Sequence, residues 1–64
     1  MLTKNKLKEY REKRGISQEK LAALAEVTRQ TIISVEGGRY MPSLELALKL
    51  SRIFSCKVED LFGI

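Results

Sequence analysis

The chain has 64 residues, a length that predicts one domain, residues 1–64, with a small core. Lysine and arginine outnumber aspartate and glutamate by 12 to 8, and this net charge of +4 is compatible with a nucleic-acid partner without requiring one. There is no histidine and only one cysteine, Cys56, which argues against a zinc site, a Cys–His nucleophile and an internal disulfide. We therefore expect no cofactor, no metal and no enzymatic activity.

The chain also lacks the marks of a membrane or exported protein. No apolar run reaches transmembrane length, and the basic N-terminus is not followed by a signal-peptide core. The expected location is the cytoplasm, which agrees with a lone reduced cysteine.

The first predicted helix runs from about Thr3 to Arg14 and contains several basic residues. Gly15 follows its last basic turn, where a glycine commonly ends a helix. A second helix then begins after Ser17, whose hydroxyl is a preferred N-cap.

The second and third helices are short, amphipathic and separated by a break too short to be a loop. The predicted buried stripe of the second helix is Leu21, Leu24 and Ala25, spaced i, i+3, i+4. Thr28 is the predicted N-cap of the third helix. Residues 17–36 therefore predict a helix-turn-helix, a unit whose second helix fits the major groove of DNA.

The third helix has two different sides. At about 100° per residue, Ile32 and Val35 point one way. Arginine, glutamine and serine, with one isoleucine, cluster on the other side, namely Arg29, Gln30, Ile33 and Ser34.

Two further helices complete the predicted all-α, five-helix fold. Gly37 and Gly38 are expected to end the third helix with left-handed backbone freedom. The fourth helix runs from Leu44 to about Phe54, and a short fifth helix runs from Val58 to Phe62. The expected buried stripe of the fourth helix is Leu44, Ala47, Leu50, Ser51 and Phe54.

The polar side of the third helix favours DNA reading over an ordinary helical hairpin. A merely solvated face usually carries Glu and Lys, whereas this one has no acid before Glu36. Arginine suits the O6 and N7 atoms of guanine, and glutamine suits N6 and N7 of adenine. Ile33 either packs on a thymine methyl or is an ordinary exposed apolar residue.

Several of these motifs, taken together, resemble the lambda-repressor-like (XRE-type) helix-turn-helix family over essentially the whole chain. The similarity includes Gly15-Ile-Ser-Gln18, Leu21-Ala22, the run from Val27 to Ile32, Val35-Glu36, Gly38-Arg39, Pro42-Ser43-Leu44 and the run from Glu59 to Phe62. The closest resemblance is to short members that act as homodimeric repressors.

The resemblance implies roles for individual residues. The predicted base-contacting residues are Arg29, Gln30, Ile33 and Ser34, and the predicted backbone-contacting residues are Gln18, Thr28, Arg39 and Tyr40. Contacts of the second kind position the protein without carrying sequence information.

The resemblance also implies an ion pair between the first and third helices. The pair is Arg11 and Glu36, and the alternative is two independent exposed charges. An exposed pair would contribute at most about 1 kcal/mol. We assign both residues a structural role.

Some positions depart from the family pattern. Glu26 stands at a turn position that often holds glycine, where a left-handed conformation would cost roughly 1 kcal/mol. Ser55 replaces a glycine before the fifth helix, and Lys57 replaces its serine cap, so we expect a poor cap there. Cys56 is expected to be a buried, inert thiol rather than a redox sensor.

A small core and the resemblance both favour self-association. The predicted dimer interface comprises Leu46, Ile53, Phe62 and Ile64. The alternative for Leu46 and Ile53 is partial burial within one chain.

These observations predict a sequence-specific, double-stranded-DNA-binding regulator. The preferred form is a homodimeric repressor on a near-palindromic operator whose half-sites lie about 34 Å apart. Two alternatives stay open: an antitoxin-like or controller protein that also binds a protein partner, and a small helical interaction module without DNA binding.

Overall fold

A computed structural model describes residues 5–63, and every regular element in that range is an α-helix. In chain order the helices are α1 (Leu7–Arg14), α2 (Gln18–Ala25), α3 (Arg29–Glu36), α4 (Leu44–Ile53) and α5 (Val58–Phe62). The predicted all-α, five-helix fold is confirmed, and α2 and α3 form the helix-turn-helix.

The start of α1 is later than predicted. The helix begins at Leu7, whereas the predicted start near Thr3 lies outside the described residues. Asn5 Oδ1 accepts a hydrogen bond from the Leu7 N–H at 3.1 Å, and the Lys6 N–H donates to the Leu61 carbonyl at 2.7 Å. Because the N–H groups of Lys6 and Leu7 already have these partners, neither donates to a carbonyl four residues earlier, and the helix begins at Leu7.

One apolar core lies between the helices, and each helix contributes to it. Among the described residues, the largest completely buried side chains are Leu7, Leu21, Ile32, Val35, Leu50 and Leu61. Small side chains complete the core on α2, where Ala22 and Ala25 are 4% and 0% exposed. These alanines let the neighbouring helices approach closely.

Two leucines predicted for the core are exposed instead. Leu24 is 47% exposed and Leu44 is 74% exposed, so the predicted stripes of α2 and α4 were wrong at these positions. Ala22 fills the core position on α2, and Leu46 does so on α4. A helix of two or three turns with extra apolar residues fits more than one stripe, and only the neighbouring helices decide which stripe is buried.

The first four helices end in the same way. A residue with left-handed backbone follows each helix, and the next N–H donates back to a carbonyl in the last turn, which is a Schellman motif. The left-handed residues are Gly15, Glu26, Gly38 and Ser55, with φ of 68°, 61°, 71° and 51°. The strained Glu26 expected from the sequence is therefore present, and Ser55 adopts the same conformation.

The α4–α5 corner has its own compensation for the weak cap. Lys57 precedes α5, and its backbone N–H donates to the Asp60 carboxylate at 3.0 Å. Cys56 is half-buried and packs against the core, rather than being fully buried as expected. Burial raises the pKa of its thiol above the ordinary value, with a smaller contribution in the same direction from Asp60.

Candidate nucleic-acid interface

Hydrogen bonds fix both ends of the turn between α2 and α3. The Ser17 hydroxyl accepts from the Lys20 N–H at 3.0 Å, and the Thr28 hydroxyl accepts from the Thr31 N–H at 3.2 Å. The two predicted N-caps are confirmed. Since α2 ends in a Schellman motif at Glu26, only residues 26–28 separate the two helices, which leaves little freedom in the angle between them.

The side of α3 that points away from the core carries the predicted base readers. Arg29 and Gln30 are exposed, Ile33 is 38% exposed, and Ser34 is half-buried. The opposite side is completely buried through Ile32 and Val35, as the sequence predicts. Rotation of α3 about its axis would remove these two from the core, so the outward orientation of Arg29 and Gln30 is fixed by packing.

The end of α3 positions a further basic residue. Gly38 is buried and left-handed, and the Arg39 N–H donates to the Ser34 carbonyl at 3.0 Å. Gly37, in contrast, has φ of −78°, so Gly38 alone of the two glycines uses the left-handed freedom expected at this turn. A turn of this shape places the exposed Arg39 directly after the outward face of α3.

A shallow open pocket of about 230 Å³ borders the outward face of α3. Its lining is rich in hydroxyl groups and comprises Thr28, Gln30, Thr31, Ser34 and Tyr40. Predicted base readers and predicted backbone contacts therefore meet at one surface. Sequence reasoning missed Thr31, whose signal was its place three residues after the Thr28 cap.

The ion pair between Arg11 and Glu36 connects α1 to the last residue of α3. Arg11 Nε donates to Glu36 Oε2 at 2.6 Å and Nη2 donates to Oε1 at 3.3 Å, while Nη1 donates to the Ile16 carbonyl at 2.9 Å. The side chains are only 11% and 5% exposed. The hydrogen bond to Glu36 raises the pKa of Arg11, although burial acts in the opposite direction.

Gln18 joins this network instead of standing free. Its Nε2 donates to Glu36 Oε1 at 3.1 Å, and the residue is half-buried. An amide NH₂ has two hydrogens, so one remains for another acceptor. The predicted phosphate contact would thus use a side chain whose orientation is already set by Glu36.

The predicted dimer residues have different environments. Leu46 and Phe62 belong to the core and are each 6% exposed, so we correct the expectation for these two residues, whose side chains leave little surface for a second chain. Ile53 is half-buried and packs against the core. Ile64 lies outside the described residues.

Residues 5–63 contain neither a cluster of metal ligands nor a helix that could span a membrane. In this range, no three acidic, histidine or cysteine side chains come together as a metal-binding group. None of the described helices has both the length and the apolar character needed to cross a membrane.

Comparison with known proteins agrees with this geometry. A family model described as helix-turn-helix matches residues 7–61. The chain is 56% identical over 61 residues to the HTH-type transcriptional regulator YgzD of Bacillus subtilis, covering 95% of this chain and 92% of that protein. It is 52% identical over 59 residues to an HTH-type transcriptional regulator of Methanocaldococcus jannaschii, covering 92% and 89% of the two chains.

A solved structure is similar as well. The restriction-modification controller protein C.AhdI from Aeromonas hydrophila aligns with a TM-score of 0.79 and 34% sequence identity. The alignment covers 86% of this chain and 83% of that one.

Proposed function

The chain belongs to the helix-turn-helix family of DNA-binding transcriptional regulators, which are not enzymes, and we propose that it is a homodimeric repressor that reads a near-palindromic operator. In this proposal the protein acts in the cytoplasm and represses by occluding a promoter. The observation that carries it is the outward face of α3, where Arg29 and Gln30 are exposed on a helix whose orientation is fixed.

Base reading is assigned to the side chains of this face. Arg29 has the fork of donors that suits guanine O6 and N7, and Gln30 has the donor and acceptor that suit adenine N6 and N7. Ser34 is too short to reach far, so it reads a base only where α3 lies deep in the groove. Ile33 contributes an apolar contact to a thymine methyl.

Backbone contacts surround these readers. The second amide hydrogen of Gln18 can be donated to a phosphate oxygen, and Arg39 contributes a positive charge. Thr28 and Tyr40 contribute hydroxyl groups. Contacts with phosphate fix the register of α3 in the groove and make binding depend strongly on salt.

Selection from a random pool of DNA duplexes, followed by a salt titration on the enriched sequence, tests the proposal. We expect a near-palindrome with half-sites about one helical turn, roughly 34 Å, apart. The logarithm of the affinity should fall by about 0.9 per neutralised phosphate for each unit of log salt. Binding without any enriched sequence would contradict operator reading, and no binding would favour the protein-interaction module.

Transcription in vitro tests repression separately. A promoter that overlaps the selected site should lose transcripts as the protein is added, whereas a scrambled site should not respond. An increase in transcripts would contradict the proposed repression but not the proposed sequence-specific DNA binding.

The likeness to C.AhdI, a restriction-modification controller protein, favours a second candidate, a controller of restriction and modification genes. This candidate predicts that the selected sequence lies upstream of restriction and modification genes. A selected sequence that occurs only at unrelated promoters would contradict it.

A further inference from the structure

The outer face of α4 carries two leucines that the core does not use. Leu44 is 74% exposed and Leu48 is 38% exposed. They are one turn apart, at i and i+4, and therefore share one face of the helix. Leu24 is also exposed but is on α2. Exposed apolar residues that adjoin one another mark a contact surface more often than isolated ones do.

Two opposite charges border this leucine pair. Glu45 and Arg52 are both exposed, and neither forms an ion pair within the described residues. At about 100° and 1.5 Å per residue, they lie on the same side of Leu48 and about 10 Å apart along the axis. One lies before Leu48 in the sequence and the other after it.

This pattern is complementary to itself. When two α4 helices pack antiparallel about a two-fold axis near Leu48, Glu45 of one helix lies beside Arg52 of the other, and the reverse pair forms too. The leucines then pack against one another, and both ion pairs lie on the same side of them, one towards each end of the contact. A surface used for an unrelated protein has no need for this symmetry.

We propose that the outer α4 face, formed by Leu44, Glu45, Leu48 and Arg52, binds the same face of a second copy of this chain. The proposal rests on the homodimer in the proposed function and names its surface. It replaces the predicted use of Leu46 and Phe62, which the core already contains. The face also begins four residues after Tyr40, so the loop beside the α3 pocket leads directly into it.

The dimer should be weak without DNA. Two leucines from each copy and two exposed ion pairs make a small interface, and interfaces below about 1,200 Å² in total are typical of transient complexes. We therefore expect dissociation in the micromolar range or above, with DNA favouring the paired form because both copies bind one duplex.

Sedimentation velocity over about 1 µM to 1 mM protein tests the surface. The wild type should pass from monomer to dimer, and the variant with Leu44→Gln and Leu48→Gln should stay monomeric. Leu24→Gln is the matched control, since it removes an exposed leucine from α2 and should dimerise like the wild type. Circular dichroism shows that each variant keeps its helices.

A charge swap tests the antiparallel arrangement. Glu45→Arg alone and Arg52→Glu alone should each weaken the dimer about tenfold, since each variant makes two like-charge contacts. The double variant E45R/R52E should return to the wild-type dissociation constant, because both ion pairs form again with reversed polarity. Lack of this rescue would overturn the two-fold pairing.

DNA distinguishes failure of this surface from failure of the proposed function. On a duplex with one half-site, the Leu44→Gln and Leu48→Gln variant should bind like the wild type, and it should lose affinity only on the full palindrome. A wild type that stays monomeric over the whole range, alone and on the palindrome, would overturn the proposal. Loss of specific binding to both duplexes by the wild type would instead contradict the proposed function.

Discussion

Arg11 and Glu36 connect the first helix to the last residue of α3, with 2.6 Å between Nε and Oε2. Both side chains are largely buried, so each is the main compensation for the other's charge. Arg11→Met should lower the free energy of unfolding by about 3 kcal/mol, because it leaves the Glu36 carboxylate buried with only Gln18 as a partner. Urea denaturation followed by circular dichroism measures this loss.

The double variant R11M/E36L provides the control for that measurement. Replacement of a buried pair by apolar residues is often nearly neutral, so the double variant should recover most of the stability. If R11M alone were as stable as the wild type, the ion pair would contribute no more to the free energy of unfolding than an exposed pair does.

Arg29→Ala tests the proposed role of Arg29 as the main base-contacting residue. We expect a loss of about 1–3 kcal/mol at the selected site and a relaxed preference at one base pair. Fluorescence anisotropy with a set of singly substituted duplexes measures both effects. Lys13→Ala removes an equally exposed charge from α1 and should leave the preference unchanged. An unaltered preference in the Arg29 variant would exclude this residue as a reader.

Arg39→Ala tests a contact to the DNA backbone. Since phosphates carry no sequence information, all duplexes should lose affinity alike. The slope of log affinity against log salt should become shallower by about one unit. A change in preference at a single base pair would instead place Arg39 among the base readers.

Glu26→Gly addresses the strained turn between α2 and α3. A non-glycine residue in left-handed backbone costs roughly 1–2 kcal/mol, part of which is offset by the greater freedom of glycine in the unfolded chain. We expect the variant to be more stable by up to about 1 kcal/mol. The control variant Glu26→Gln removes the exposed ion pair with Lys49 but keeps a non-glycine residue in the turn. It should change the free energy of unfolding by roughly a few tenths of a kcal/mol at most.

Cys56 should react slowly while the protein is folded. Because burial raises its pKa, the folded state holds the thiol proton more tightly, and the associated stability is present below the ordinary pKa of 9.0 and is lost as pH rises through the higher folded value. Ultraviolet absorbance of the thiolate, measured against pH with and without urea, should therefore rise at higher pH in the folded protein. Coincident titration curves would show that the fold does not protect this thiol.

Periodicity and caps predicted most of the fold because they are local properties. Ser17 and Thr28 start helices through contacts three residues away, and the positions of α2 and α3 follow from them. The start of α1 depends on Asn5 and on the hydrogen bond from Lys6 to α5, and residues so far apart in sequence leave no periodic signal.

The sequence alone did not predict which leucines of α4 are buried. Leucines at positions 44, 46, 48 and 50 surround much of the helix, so the packing partners select which of them enter the core. The outward face of α3 was easier to predict, because the polar residues and the buried apolar residues of this helix lie on clearly different sides. The half-burial of Ser34 and the hydrogen bond from Gln18 to Glu36 could not be predicted from the sequence, because both depend on how two helices meet.

The hydrogen bond from Lys6 to Leu61 has a consequence for synthesis of the protein. Translation delivers α2 and α3 before α5, so the Lys6 N–H gains its partner only when α5 has been made. Leu61 also contributes to the core with 0% exposure, so that core stays open until the same moment. In a nascent chain on the ribosome, α3 therefore packs against an incomplete core, and the core closes only after residues 58–62 have left the exit tunnel.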